Sequence, residues 1–190
     1  MSHRISILFA SRNSVYKTIP GLDVWDIDRN AWNWPGGNPG IFHPPCRLFC
    51  RLSHMSTAPE SEKHLAYWSV NMVTKHGGIL EHPSNSKLWD EAHLPLPGFS
   101  DQFGFTIQVD QYWFGHPGRK RTWLYICGID RKDVPSHQLR LTSKPADIFA
   151  GGTREYVPGS RHGGLRSNTP IDFAKWLVSV AGRCEVALIK

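Results

Sequence analysis

A cysteine behind two prolines, Pro44-Pro45-Cys46, and a carboxylate closing an apolar run, Ile79-Leu80-Glu81, are the residues of this sequence best suited to chemistry. A thiolate adds to an electron-poor ring carbon. A carboxylic acid donates to the neighbouring ring nitrogen, so that the adduct builds up no negative charge. Each residue taken alone also has an ordinary use, the thiol as a small buried hydrophobe and the carboxylate as a turn cap. A second constellation, His43, Cys46, Cys50 and His54, puts four borderline ligands within twelve residues. Two prolines between its first two members oppose convergence, and His-x2-Cys-x3-Cys-x3-His is not a common zinc spacing, so no metal is expected.

These residues need a scaffold that brings strand ends together. Ile5 to Ala10 and Leu22 to Ile27 have the apolar content of strands, with Ser11 to Thr18 as a short helix between them and Pro20-Gly21 as a turn. Gly40-Ile41-Phe42 runs into the two prolines, which stop a ladder and place Cys46 just past a strand end. From Glu62 to His76, Leu65, Trp68, Met72 and Val73 share a helical face, and Gly77-Gly78 supplies the stop. Ile79-Leu80 reads as a strand ended by Glu81-His82-Pro83. Thr106 to Val109 and Trp123 to Cys127 are two more strands around a Gly/Pro/basic turn, and Thr169-Pro170 opens a helix with the face Phe173, Trp176, Leu177 and Val180. The alternation predicts an α/β fold, a mainly parallel sheet with flanking helices. In such a sheet the residues just beyond the strand ends, here Ser11 to Asn13, Asp26 to Asp28, Cys46 and Glu81, line the ligand crevice.

The chain has 190 residues, 22 Lys and Arg against 16 Asp and Glu, and a formal charge of +6. With 40% hydrophobic and 20% charged positions, disorder, collagen and coiled coil are excluded, and one domain spanning 1–190 is expected. The basic bias suits a polyanion partner. Trp123 to Cys127 is far short of a spanning segment, no apolar leader opens the chain, and four cysteines are too few for a disulfide scaffold. The expectation is a soluble cytoplasmic protein with free thiols and no membrane partner.

Several segments resemble the DNA cytosine-5 methyltransferases, in the order that family has them. Pro44-Pro45-Cys46 is similar to its Pro-Pro-Cys-Gln loop, Phe9-Ala10 to its Phe-Ala-Gly opening, and Asp26-Ile27-Asp28 to its Glu-Ile-Asp. Leu80-Glu81-His82-Pro83 is similar to its Glu-Asn-Val stretch, and Tyr112 to Gly128 resembles its Tyr-Gly-x-Pro-Gln-x-Arg-x-Arg segment and following strand. Arg166 to Asp172 is similar to its Arg-x-Leu-Thr-Pro-x-Glu segment.

The resemblance implies a Rossmann-like fold that uses S-adenosylmethionine. Cys46 would add to carbon 6 of cytosine, Glu81 would hold the ring nitrogen and exocyclic amine, and Arg119 or Arg121 would stabilise the base or a phosphate. Phe9, Asp26, Ile27 and Pro44 would hold the cofactor, Phe9 against adenine and Asp26 on the ribose. Arg47, Arg51, Lys120, Arg131, Lys132 and Arg166 would meet DNA, with 129–165 as a small basic insert in place of a target-recognition region. The size suggests a phage or mobile-element protein, with a partner subunit or homodimer completing recognition. This sequence departs from the pattern in three places. Ser11-Arg12-Asn13-Ser14 replaces the glycine-rich loop that lets backbone approach the cofactor. Arg47 and His82 stand where the family has Gln and Asn, placing two cations beside the nucleophile, where they would favour a thiolate. Two other readings compete: an inactive methyltransferase fold, or split-enzyme subunit, that only binds nucleic acid, and an enzyme acting on a cytosine nucleotide.

Overall fold

The computed structural model describes residues 4–51, 53–137 and 168–186, and the backbone alone at Ile148–Phe149 and Gly152–Thr153. The elements in chain order are β1 (Ser6–Ala10), β2 (Asp23–Asp26), β3 (Gly40–Phe42), α1 (Lys63–His76) and β4 (Gly78–Pro83). They are followed by α2 (Leu88–Glu91), β5 (Gly104–Asp110), β6 (Arg121–Cys127), the β7–β8 ribbon (Ile148–Phe149 with Gly152–Thr153) and α3 (Ile171–Ala181). Six strands form one sheet in the order β2-β1-β3-β4-β6-β5.

The first four strands are parallel, as the alternation predicts, but the sheet as a whole is mixed, because β6 runs antiparallel to both β4 and β5. The short connection from β5 to β6 dictates that reversal, since parallel neighbours need a crossover of roughly a dozen residues or more. β4 is also longer than expected. It continues through Glu81, His82 and Pro83, because Leu124, Trp123 and Thr122 of β6 pair alongside them.

Alternation along the strands splits the core in two. Ile7, Ile41, Ile79, Leu124 and Ile126 face α3, whose predicted stripe of Phe173, Trp176, Leu177 and Val180 is buried against them. Leu8, Phe42, Leu80, Trp123 and Tyr125 face α1. The stripe that α1 buries is Ala66, Ser69 and Val73, with Trp68 and Met72 at its border. That is one step round from the predicted face, because small side chains let the helix approach the sheet. The helix stops at Gly77, with φ 74° and ψ 169°, a positive-φ extended conformation open to glycine and not the left-handed helical one expected there.

Residues 11–18 form only one 3-10 turn, Val15–Thr18, with Ser14 accepting from the Tyr16 amide. Just before it, the β1–β2 register slips between Leu8 and Ala10, and Phe9 lies in the left-handed region at φ 61°. This bulge aims the Phe9 ring edge-on at Trp68, 5.8 Å away. All four cysteines are free, and among the described residues no helix is long and apolar enough to cross a membrane.

A candidate active site at the carboxyl ends of the central strands

From β1 the chain moves to β2 on one flank and returns at β3 on the other, so strand order reverses between β1 and β3. A wound sheet opens a ligand crevice at such a reversal, outside the carboxyl ends of its strands. Here a cleft of about 680 Å³ occupies that place. Its walls come from Phe9 and Ala10 at the end of β1, Ser11 and Asn13 to Tyr16 after it, His43 to Arg47 after β3, Glu81 to Pro83 of β4, Lys120 before β6, and Asn168-Thr169 before α3.

The pleat decides which side chains meet. Ile41 of β3 pairs with Ile79 of β4, and two residues further on His43 and Glu81 point to the same face. His43 Nδ1 lies 3.1 Å from Glu81 Oε2, and its Nε2 lies 3.1 Å from the Tyr16 hydroxyl. Gln111 Nε2 donates to Glu81 Oε1 at 3.2 Å and to Thr122 Oγ1 at 3.0 Å. His43 and Glu81 each keep 15% of their side-chain surface exposed, at the cleft. Burial alone would raise the Glu81 pKa, but the His43 hydrogen bond and the charges of His43 and Lys120 outweigh it and hold the carboxyl below its usual range.

Cys46 is half-buried at the start of the turn that Phe49 closes through its amide to the Cys46 carbonyl, 3.0 Å away. Burial pushes its thiol pKa up, the Glu81 and Cys50 charges push the same way, and Lys120 opposes them. The two cations expected to lower it do not act as such. Arg47 turns outward, 64% exposed, into an ion pair with Glu62. His82 points to the opposite sheet face, 1% exposed, with Nδ1 2.7 Å from Ser86 Oγ. Its burial lowers its pKa to about 4, although Glu81 and the Pro44 and Pro45 carbonyls pull the other way.

His82 therefore stays neutral in the folded protein while the unfolded chain titrates near 6.5. As pH falls from 6.5 to about 4, the unfolded state takes up a proton that the folded state refuses, so stability falls with pH. We expect a loss of about 3 kcal/mol across that window. His76 and His137 are shifted in the same direction. Urea unfolding at several pH values should therefore show a smaller but non-zero slope in His82→Gln; an unchanged slope would contradict a buried neutral imidazole.

No family model, curated protein or solved structure matches this chain. What the site can do therefore has to be read from its own residues.

The structure brings Cys46, Glu81, Phe9, Pro44, Arg47 and Lys120 to one cleft. Arg119, 59% exposed, pairs with Asp110 at 3.4 Å, and Arg121 is exposed at the start of β6, so neither lines it. Asp26 lies at the end of β2 with Oδ2 2.6 Å from Lys17 Nζ and Oδ1 accepting from the Asp28 and Arg29 amides. Ile27 is 74% exposed and Arg51 is exposed. Arg131 caps the other end of the sheet, donating to the Phe99 carbonyl with its guanidinium over the Phe105 ring, and Lys132 pairs with Asp130 in solvent. Arg166 lies outside the described residues, as does most of 129–165.

Among the described residues no group of three or more His, Cys, Asp or Glu side chains could hold a metal ion, and both His43 nitrogens are already engaged. Sequence reasoning missed Tyr16 and Gln111, and it considered His43 only as a ligand. Lys120 Nζ donates to the Asn168 carbonyl at 3.1 Å, tying the segment before α3 to the cleft rim.

Proposed function

We propose that this protein is a reduced cytosine-5 methyltransferase of Rossmann-like type, acting on DNA. The observation that carries the reading is the convergence of Cys46, Glu81 and Lys120 on one cleft at the sheet's switch point. Cys46 adds to carbon 6 of the cytosine ring, Glu81 serves the ring nitrogen with one oxygen and accepts from the exocyclic amine with the other, and Lys120 supplies a positive field to both. Carbon 6 is hidden in a stacked duplex, so the base must be flipped into the cleft, at a cost of a few kcal/mol. Arg51 and Arg47, exposed on the loop that carries Cys46, take the flanking phosphates in this reading, Arg47 by exchanging its Glu62 ion pair for one.

The methyl donor that the resemblance implies is S-adenosylmethionine, which supplies an electrophilic methyl group to carbon 5. Phe9, Trp68 and the half-exposed Trp32 form an aromatic wall beside the end of β2 that suits an adenine. Three of the roughly four acceptor sites of Asp26 are filled, so a ribose hydroxyl is taken at the last one, beside Lys17.

The test is mass spectrometry of the protein with S-adenosylmethionine and an oligonucleotide carrying 5-fluorocytosine, whose carbon 5 cannot lose a proton. A covalent complex of one chain and one strand supports the reading. The crowding of Asp26, with three of its acceptor sites already filled, and the loop without glycines favour the second reading, a fold that only binds nucleic acid. Salt-dependent DNA binding with no adduct over varied sequences would establish that one instead.

A further inference from the structure

We infer that His43, anchored by Tyr16, is the proton partner of Glu81, so that the proton needed at the cytosine ring nitrogen is shared between an imidazole and a carboxylate. This rests on the cytosine reading above. Tyr16 Oη, His43 and Glu81 form a line with both spacings 3.1 Å, running from a hydroxyl that is 1% exposed in the core to a carboxylate at the cleft. Gln111 holds the second carboxylate oxygen at 3.2 Å.

That arrangement poses a chemical problem and contains its answer. With Gln111 and His43 both donating, Glu81 rests as a carboxylate, and a carboxylate has no proton for a ring nitrogen. His43 is the titratable group in hydrogen-bond contact with it. In the imidazolium form, His43 passes its Nδ1 proton to Glu81 Oε2; the Nδ1–H bond breaks and an O–H bond forms. As the Cys46 thiolate pair makes the bond to carbon 6, the C5=C6 pair moves to C4=C5 and the N3=C4 pair moves onto N3. There it takes the proton from Glu81, which returns to carboxylate. His43 ends neutral, still donating Nε2–H to the Tyr16 oxygen.

The charged and titratable groups facing this pair are Tyr16 from the turn after β1, Cys46 from the loop after β3 and Lys120 before β6, while the adjacent His82 of β4 lies on the opposite sheet face against Ser86. The Tyr16 hydroxyl pKa is well above its usual range because of burial and the Glu81 charge, so Tyr16 anchors the imidazole without ionising.

Release of tritium from carbon 5 of cytosine in an oligonucleotide tests this, because it requires addition and elimination at Cys46 but no methyl donor. We expect the wild type to give a bell-shaped dependence of kcat/KM on pH, rising with the Cys46 thiolate and falling as the shared proton is lost. His43→Gln keeps an amide donor at Glu81 but has no proton to pass. It should be about 100-fold slower near neutral pH, with its alkaline limb moved to lower pH. Wild-type rates and limbs in His43→Gln would overturn the inference and leave His43 a mere prop. If the wild type itself releases no tritium, the cytosine reading fails and this inference falls with it. Should His43→Gln not fold, carbon-13 resonances of the wild-type protein decide: Glu81 and His43 titrating together support a shared proton, and independent titrations overturn it.

Discussion

With Ala at position 46, the protein should form no adduct with 5-fluorocytosine DNA and the proposed methyl transfer should fall by about 10⁴-fold or more, with the fold left intact. The thiol is half-buried at a turn held by backbone, with Phe49 donating to the Cys46 carbonyl, so the side chain is dispensable to the loop's shape. Its loss should cost about 1 kcal/mol of stability. DNA affinity should also persist, because Arg47 and Arg51 are untouched. The informative control is Cys50→Ala. Cys50 sits close enough for its charge to act on Cys46, and its Sγ donates to the Arg47 carbonyl at 3.4 Å. An adduct that survived Cys46→Ala, or vanished only in Cys50→Ala, would assign the chemistry to the wrong sulfur and remove the basis for pairing Cys46 with Glu81.

The second large effect concerns stability. Gly78 of β4 lies against Gly40 of β3 with a φ of 116°, a conformation in which L side chains are strained. A Cβ there would fall inside contact distance of the Gly40 carbonyl oxygen and only 2.6 Å from the Gly40 nitrogen. Backbone cannot swing aside as a side chain can, so Gly78→Ala must push β4 away from β3. We expect a loss of about 3 kcal/mol or more, a fall in melting temperature of roughly 6–12 °C for a chain of this size. Gly21→Ala is the comparison: it too has a positive φ, but open space around it, and should cost clearly less. Equal losses at the two sites would mean that conformational strain alone, and not the close approach of the strands, sets the cost. Because His43 and Glu81 are brought face to face by the same pairing, a surviving Gly78→Ala protein should also show reduced activity.

Much of the scaffold could be read from the chain. Gly40-Ile41-Phe42 and Gly78-Ile79-Leu80 share one pattern, and the two strands do pair glycine to glycine and isoleucine to isoleucine. Extending that register by two residues sets His43 opposite Glu81, a contact already contained in the sequence. The α3 face was also legible, since four large apolar residues at helical spacing have one place to go. The α1 face was not, because its buried stripe holds small residues, and hydrophobic periodicity weights large ones. Long-range polar partners were hidden for a different reason. Nothing local to Asp26 announces that Lys17 reaches it, and nothing near Gln111 announces Glu81, because those distances are set by the sheet and not by spacing along the chain.

The face that α3 covers has a consequence during synthesis. Ile7, Ile41 and Ile79 come from strands made early, whereas their lid begins at Ile171, 88 residues after Pro83 closes β4. At roughly 5–20 residues per second, the ribosome leaves that sheet face without its helix for on the order of ten seconds. The nascent chain must spend this interval with one half of its core open to water, so a holdase chaperone should raise the soluble yield of this protein more than its final stability would lead one to expect.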